Sequence, residues 1–382
     1  MTGRFLPGAT IGVMGGGQLG RMFAIAARRM GYRVHTFSPE TNGPAAQFSD
    51  SSTVADYRDE AAVRNFVQQI DLLTFEFENI PAETVSWCAG HLPVRPSASV
   101  LHTAQHRLRE KDFLSRNRFP VARYEAIATR ADLEAALKNI GAPSILKTAG
   151  FGYDGKGQQF VDGSKTVDEL WADRPGDELV LEQAIEFERE LSVIVARGAN
   201  GETETFPVCE NIHRRHILDI TIVPARVTDV IASTAAELAC DVADKLDVTG
   251  LLAVEMFQQP GGQLLVNELA PRPHNSGHWS IEGCVTSQFE QHVRAVCGLP
   301  LGSTRLLRPT AMANLLGDVW NNGEPDWAAA LQTPNVHLHL YGKHEPRPRR
   351  KMGHLTATAD TLDEAVNAVR CARAALNPQG ED

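Results

Sequence analysis

Glu255 and Glu268 are two carboxylates that the surrounding sequence sets face to face. Segments 252–257 (LAVEMF) and 264–269 (LLVNEL) read as the arms of a hairpin, and Gln258, Gln259, Pro260, Gly261, Gly262 and Gln263 supply turn chemistry between them. With Gly261 and Gly262 as the central turn residues, Pro260 faces Gln263, and counting back along both arms brings Glu255 opposite Glu268. Opposed side chains on paired strands have Cβ atoms roughly 5 Å apart. Two like charges that close, in arms apolar enough to be buried, call for a cation between them. A hard divalent ion is the natural occupant, since Mg²⁺ is commonly held by one or two carboxylates together with substrate phosphates. A register slipped by one residue would instead send the two Glu to separate faces.

Immediately beyond Glu268 the run LAPRPHNSGHWS places Arg272, His274, Asn275 and His278 within seven positions. So many hydrogen-bonding side chains at the end of a buried strand point to ligand contact rather than packing. A second group precedes the hairpin: Lys147 ends a strand-like ILK and leads into TAGFGYDGKGQQF. Gly150 to Gly157 matches GxxxxGK, but Gly157 follows Lys156 where a P-loop needs Ser or Thr, and the QQFV that comes next favours a strand over a helix. The expectation is therefore a flap between two antiparallel strands whose backbone N–H groups close over phosphates, with Lys147 and Lys156 nearby.

The elements that must carry these groups follow from pattern. Thr10 to Met14 is an apolar strand, GGGQLG (15–20) a glycine turn, and an amphipathic helix runs to about Met30 with Gly31 as its C-cap; Arg33 to Phe37 is the next strand. Strand, glycine turn, helix and strand open a doubly wound sheet. Gly15, Gly17 and Gly20 also fit GxGxxG with Glu40 at the distance of a ribose-binding acid, so an NAD oxidoreductase is an alternative, although nothing downstream resembles a hydride-transfer site. Leu72 to Glu78 alternates, with Leu73, Phe75 and Phe77 on one face and Thr74, Glu76 and Glu78 on the other. PVRPSAS (93–99) reads as a linker before a helix near Thr103; Pro300 and Pro309 mark a later break, followed by a strand over Val336 to Tyr341, a basic loop and a last helix from Leu362 to Ala375. His337 and His339 share one face of that strand and are read as structural, with no third metal ligand close by.

At 382 residues the chain implies two or three domains. Hydrophobic content of 43% and charged content of 22% describe an ordinary globular protein, and a net charge of -10 argues against nucleic acid as a partner. Six cysteines without a CxxC pair indicate neither a zinc ribbon nor a disulfide framework. With no apolar run of membrane-spanning length and no cleavable signal pattern, the expected location is the cytoplasm, away from membranes.

Taken together, GGGQLGRM, GFGYDGKGQ, NELAPRPHNSGHWS and HLYGKHEPRPRRKMGH resemble the ATP-grasp enzymes, and among them the 5-(carboxyamino)imidazole ribonucleotide synthases of purine biosynthesis. The resemblance spans nearly the whole chain. It implies an α/β fold: a Rossmann-like pre-ATP-grasp domain over 1–102, an ATP-grasp domain over 103–300 with a flap lobe at about 120–185, and a small C-terminal domain over 301–382. Such a fold holds Mg²⁺ between Glu255 and Glu268. It further implies that Arg107 and Lys147 contact ATP phosphates, that Gly152, Tyr153, Asp154, Gly155, Lys156, Gly157 and Gln158 form the flap, and that Glu182, Gln183, Ala184 and Ile185 line the adenine pocket. Glu190 would take the ribose, with His213 and Asn267 also bordering the nucleotide, although in an undistorted strand Asn267 points away from Glu268. Around the ribonucleotide it places Tyr153, Asp154, Lys156, Arg272, His274 and Asn275, with Lys343 and Arg350 on its phosphate. Many members carry Arg where this chain has Lys156, which removes a bidentate contact.

Lys343, Arg347, Arg349, Arg350 and Lys351 also form a dense basic patch in an acidic chain, as a phosphate subsite requires, and Gln18 and Glu76 or Glu78 lie at the carboxyl ends of parallel strands, where ligands bind. The activity implied is carboxylation of 5-aminoimidazole ribonucleotide by bicarbonate and ATP through carboxyphosphate, with Lys147, Arg272 and His274 in the catalytic centre, Asp154 orienting or deprotonating the amine, and a homodimer formed through the first domain. The rival readings are a formate-dependent glycinamide ribonucleotide transformylase of the same architecture, the NAD oxidoreductase, and a regulator that binds nucleotide without turnover.

Overall fold

The structure is a computed structural model that describes residues 3–150 and 157–377. Near the N-terminus, strands Ser51–Val54, Arg33–Ser38, Thr10–Met14 and Leu72–Phe75 lie side by side in that order, all parallel. A parallel sheet must be covered on both faces. One face packs Met14, Phe37, Phe66 and Phe75 together with Val85 and Leu101. The other packs Ile11, Val13 and Phe23 against Phe289, Val293 and Val296, which belong to the helix Gln288–Cys297 far along the chain.

The glycine turn and first helix form as the pattern predicts, with the helix at Gln18–Arg29 and Gly31 at φ 84°. Strand Leu72–Phe75 stops three residues earlier than the alternation suggests, and just past its end the Glu76 carboxylate accepts the amides of Gly17 and Gly20. The run 93–99 is no open linker. Val94 bridges to Leu73, and Ser97 caps the helix Ala98–Ala104, which a short break separates from the helix Arg107–Arg116.

Strands Tyr124–Ile127, Leu179–Gln183, Ser144–Thr148 and Gln158–Val161 make a separate antiparallel sheet in that order. A capping box at Thr129 and Asp132 starts the helix that covers it. Lys147 pairs with Gln158, so the second glycine run joins two antiparallel strands, as its flanking residues suggest, and is not a strand-to-helix P-loop.

The large sheet runs in the order Leu264–Ala270, Gly250–Gln258, Arg189–Arg197, Cys209–Arg214, Ile217–Val223, Thr310–Leu316, Lys351–Thr358 and Val336–Leu340, with Thr203–Thr205 beside Arg189–Arg197. The break at Pro300 and Pro309 therefore interrupts the chain but not the sheet, because Thr310–Leu316 pairs directly with Ile217–Val223. The final helix, Leu362–Ala375, buries Ala365, Val366 and Val369 against these last strands. Among the described residues no helix is long and apolar enough to cross a membrane.

Candidate active site

Glu255 and Glu268 are direct partners across the strands Gly250–Gln258 and Leu264–Ala270. The expected register is reached by two departures that cancel. Gln258 pairs with Leu264 rather than Leu265, with Gln259 and Gln263 closing the turn, and between Met256 and Glu255 the register shifts back by one at a bulge containing Asn267. A bulge sets two residues against one and re-aims side chains. Both Asn267 and Glu268 are half-buried between fully buried neighbours, so the distortion relieves the strict alternation that would separate them.

Arg107 and His274 are in direct reach of the pair, and the charges of Arg272, His213 and Lys351 act on one or other carboxylate. Arg107 Nη1 lies 3.3 Å from Glu268 Oε2, and His274 Nε2 lies 3.3 Å from Glu255 Oε1. Burial, reinforced by the charges of Arg272 and Lys351, holds His274 well below its ordinary pKa, so it approaches Glu255 as a neutral imidazole. Burial and the facing Glu268 raise Glu255 to about 7. Two opposed carboxylates, one beside a guanidinium and the other beside a neutral imidazole, fit a divalent cation. Among the described residues no cluster of three or more His, Cys, Asp or Glu offers a complete protein cage, so such an ion would take its remaining ligands from phosphates and water, as Mg²⁺ does.

Lys147 and Glu182 are diagonal neighbours on adjacent strands, with Nζ to Oε2 at 3.0 Å; Lys111 reaches the same oxygen at 3.3 Å. Burial alone would raise Glu182, but the ammonium groups of Lys111 and Lys147 pull it down to about 2. The Glu182 side chain is thus the anchor of a buried cation pair, while Gln183 and Ala184 engage the backbone carbonyls of Arg123 and Pro143 where the chain passes between sheets. Glu190 and His213 meet on neighbouring strands with Oε2 and Nδ1 at 2.5 Å. Burial works against the His213 proton, yet Glu190 and the more distant Glu255 keep its pKa above the usual value. Of the flap residues, Gly157 and Gln158 are described; Gly152, Tyr153, Asp154, Gly155 and Lys156 lie outside the described residues.

The run after Glu268 folds back over the hairpin. Arg272 grips Glu78 in a bidentate pair, its Nη2 donating to Oε1 at 2.8 Å. Gln288 bolts the next turn in place, accepting from the His274 N–H and donating to the His274 carbonyl, each at 2.8 Å. Asn275 is buried, and neither its amide nitrogen nor its oxygen has a partner among the described residues. Buried polar groups are rarely left unpaired, so a side chain of this kind beside Arg272 and His274 suits a ligand contact.

Comparison with known proteins follows this geometry closely. Models of a ribonucleotide synthetase preATP-grasp domain, an ATP-grasp domain and a phosphoribosylaminoimidazole carboxylase C-terminal domain match residues 8–105, 112–289 and 310–368. The N5-carboxyaminoimidazole ribonucleotide synthase of Bacillus subtilis is 44% identical over 363 residues, 95% of each chain. This chain belongs to that family of ATP-grasp enzymes. An N5-carboxyaminoimidazole ribonucleotide synthetase solved with ADP is 42% identical and superposes at a TM-score of 0.92, covering 97% of this chain and 98% of the other. The Aspergillus clavatus N5-carboxyaminoimidazole synthase solved with ADP and 5-aminoimidazole ribonucleotide is 32% identical, with a TM-score of 0.88 over 97% and 99% of the two chains.

Within this ATP-grasp fold the predicted substrate residues are drawn together unevenly. Lys343 Nζ donates to the Lys351 carbonyl at 2.7 Å; burial and the neighbouring Arg350 and Lys351 push its pKa down to about 8. Arg350 stands 3.7 Å from Glu40. The rest of the basic segment disperses: Arg347 pairs with Glu345, and Arg349 donates to the Arg215 carbonyl, so the segment is not one self-repelling patch. Gln18 opens the first helix.

Glu76 is 7% exposed, with the Gly20 N–H donating to it at 2.8 Å and the Gly17 N–H also donating. A helix N-terminus behind a glycine turn is a ready anion site. Here the protein's own carboxylate fills the place a dinucleotide pyrophosphate would take, which removes the basis of the oxidoreductase reading.

Two site residues escaped the reading of the sequence: Glu110 and Lys111, both buried in the helix Arg107–Arg116. Their signal was present, since positions three and four after Arg107 share its helical face.

Proposed function

We propose that the protein joins bicarbonate to 5-aminoimidazole ribonucleotide at the expense of ATP, giving 5-(carboxyamino)imidazole ribonucleotide, ADP and phosphate. Bicarbonate oxygen attacks the γ-phosphorus, ADP leaves, and carboxyphosphate forms. The exocyclic amine then attacks the carbonyl carbon, phosphate departs, and the nitrogen gives up a proton. The observation that carries this reading is the in-register Glu255 and Glu268 pair, with Arg107 on one side and neutral His274 on the other.

Mg²⁺ between these two carboxylates would neutralise charge on the transferring phosphoryl group. Lys147 and Arg107 bind the phosphates, and Lys147 is kept in place by Glu182. Glu190 with His213 takes the ribose, and the segment Glu182 to Ile185 with Asn267 borders the base. Arg272, oriented by Glu78, stabilises the anionic carboxyphosphate, while His274 and Asn275 contact the ribonucleotide. Lys343 and Arg350 hold its phosphate, with Gln18 and Glu76 shaping that end of the pocket. Asp154, with Tyr153 and Lys156, orients the amine as the run from Gly152 to Gln158 excludes water, on which the survival of carboxyphosphate depends.

The same reading divides the chain at 102/103 and 300/301 and makes the enzyme a cytoplasmic homodimer paired through its first domain, a state that sedimentation measures directly. The decisive assay is ADP release with Mg²⁺ and bicarbonate. Stimulation by 5-aminoimidazole ribonucleotide supports the assignment. Turnover that instead requires formate and glycinamide ribonucleotide would make the protein a transformylase, and nucleotide binding without turnover would make it a regulator.

A further inference from the structure

One turn of helix grips the chain on both sides of Glu268. Glu110 and Lys111 are 2% and 1% exposed. The backbone N–H of Leu269 donates to Glu110 Oε2 at 2.9 Å, and Lys111 Nζ donates to the backbone carbonyl of Asn267 at 3.2 Å. Asn267 and Leu269 are the two residues that flank Glu268. The bulge interrupts the regular ladder to the partner strand at this point, between the pairs Glu255 with Glu268 and Met256 with Val266. Glu110 and Lys111 supply the bulged segment with partners that the partner strand does not.

Burying an ammonium and a carboxyl group is a poor way to gain stability, because desolvation offsets most of the attraction. Their placement makes sense as orientation. Lys111 also bonds Glu182 Oε2, which is shared with Lys147, so one ammonium spans the bulge on the large sheet and the strand that fixes a phosphate-facing lysine on the other. We propose that Glu110 and Lys111 are positioning residues: they hold the Asn267–Leu269 bulge so that Glu268 faces Glu255, and Lys111 ties that orientation to the Lys147 side of the nucleotide site. The inference rests on the reading of Glu255 and Glu268 as a metal pair.

The test uses the full chain and the spectroscopic ion Mn²⁺, with free Mn²⁺ counted by electron paramagnetic resonance with and without ADP. In the native protein ADP is expected to tighten Mn²⁺ retention. Lys111→Met and Glu110→Leu each remove one grip, and each is expected to weaken Mn²⁺ half-saturation roughly 10- to 100-fold, the range for groups that orient metal ligands. In excess EDTA ADP affinity falls far less than Mn²⁺ retention does, Lys111→Met losing more than Glu110→Leu because Lys111 also touches the Glu182 that holds Lys147, and Lys111→Arg recovers part of the loss.

Native Mn²⁺ retention in either folded variant overturns the proposal. So does equal weakening of ADP with and without metal, which would mark a general loss of structure, or failure of both variants to fold, which would assign the pair to stability alone. If the native protein shows no coupling between Mn²⁺ and ADP, the metal reading falls and takes this inference with it, an outcome distinct from a failure confined to the variants.

Discussion

His292 should make the fold acid-sensitive by a measurable amount. The residue sits in the helix Gln288–Cys297, wholly buried between the large sheet and the N-terminal sheet, with Nε2 2.9 Å from Thr74 Oγ1 and its ring edge-on to Phe23 at 5.4 Å. Burial lowers its pKa from 6.5 to about 3. The native state therefore excludes a proton that the unfolded chain accepts. Stability from this group is complete above the unfolded value of 6.5 and is lost as pH falls toward 3. Integrating the proton difference between pH 7.5 and pH 5.0 gives a loss of about 2 kcal/mol, and about 5 kcal/mol once both states are protonated.

Replacing the imidazole by a non-titrating amide, His292→Gln, keeps a partner for Thr74 and removes the linkage. Urea unfolding of both proteins at the two pH values isolates the effect, because every other titrating group contributes equally and cancels in the double difference. The variant is less stable than the native protein at pH 7.5 but falls by about 2 kcal/mol less on acidification. An identical loss in the two proteins would refute the argument that His292 is buried uncharged. His278 and His354, lowered for the same reason, add to the native slope in the same direction.

Glu268→Gln should reduce ADP release in the presence of 5-aminoimidazole ribonucleotide by roughly 100-fold or more, the scale on which loss of transition-state charge stabilisation acts; steady-state assay across a Mg²⁺ titration checks it. Arg272→Lys keeps the charge but gives up the two-pronged grip on Glu78, and kcat/KM should fall by about tenfold or more as the side chain loses its fixed direction. At Gly277 an added Cβ would stand 2.1 Å from Ile194 Cδ1 and 2.7 Å from Gln288 Oε1. Gly277→Ala should therefore destabilise by about 1–3 kcal/mol in urea unfolding and raise the KM for the ribonucleotide, since Gln288 is what fixes His274.

The facing carboxylates were legible in the sequence because period-two alternation and a glycine turn constrain a hairpin locally. Their register was reached for an incomplete reason. A one-residue error at the turn was cancelled by a bulge at Asn267, and bulges leave little mark in a single sequence. The last helix, bounded by the Thr361 and Glu364 capping box, was equally local and was placed to the residue. What could not be read was long-range. That Phe289 and Val293 complete the core of the N-terminal sheet, and that Thr310–Leu316 extends the large sheet past a proline break, depend on contacts between segments far apart in the chain. Glu110 and Lys111 share a helical face with Arg107, but the backbone groups they bond, at Leu269 and Asn267, lie on a strand far along the chain.

The two glycine-rich turns separate by charge rather than by motif. At Gly15 to Gly20 the amides that could receive a phosphate already hold Glu76, so a negative ligand there would have to displace a buried carboxylate bonded to two N–H groups. At the hairpin the imbalance has the opposite sign. Two carboxylates oppose each other with Arg107 and a neutral imidazole as close neighbours, and burial with the facing charge raises Glu255 to about 7 against the pull of His213 and Lys351. A divalent cation relieves that cost and brings its own demand for phosphate oxygens, which Lys147, held by a Glu182 pulled down to about 2, is ready to share. The amides of the first turn are already engaged by a buried carboxylate, whereas the two carboxylates of the hairpin still call for a cation, so the phosphates of ATP belong at the hairpin even though the N-terminal turn carries the more familiar glycine pattern.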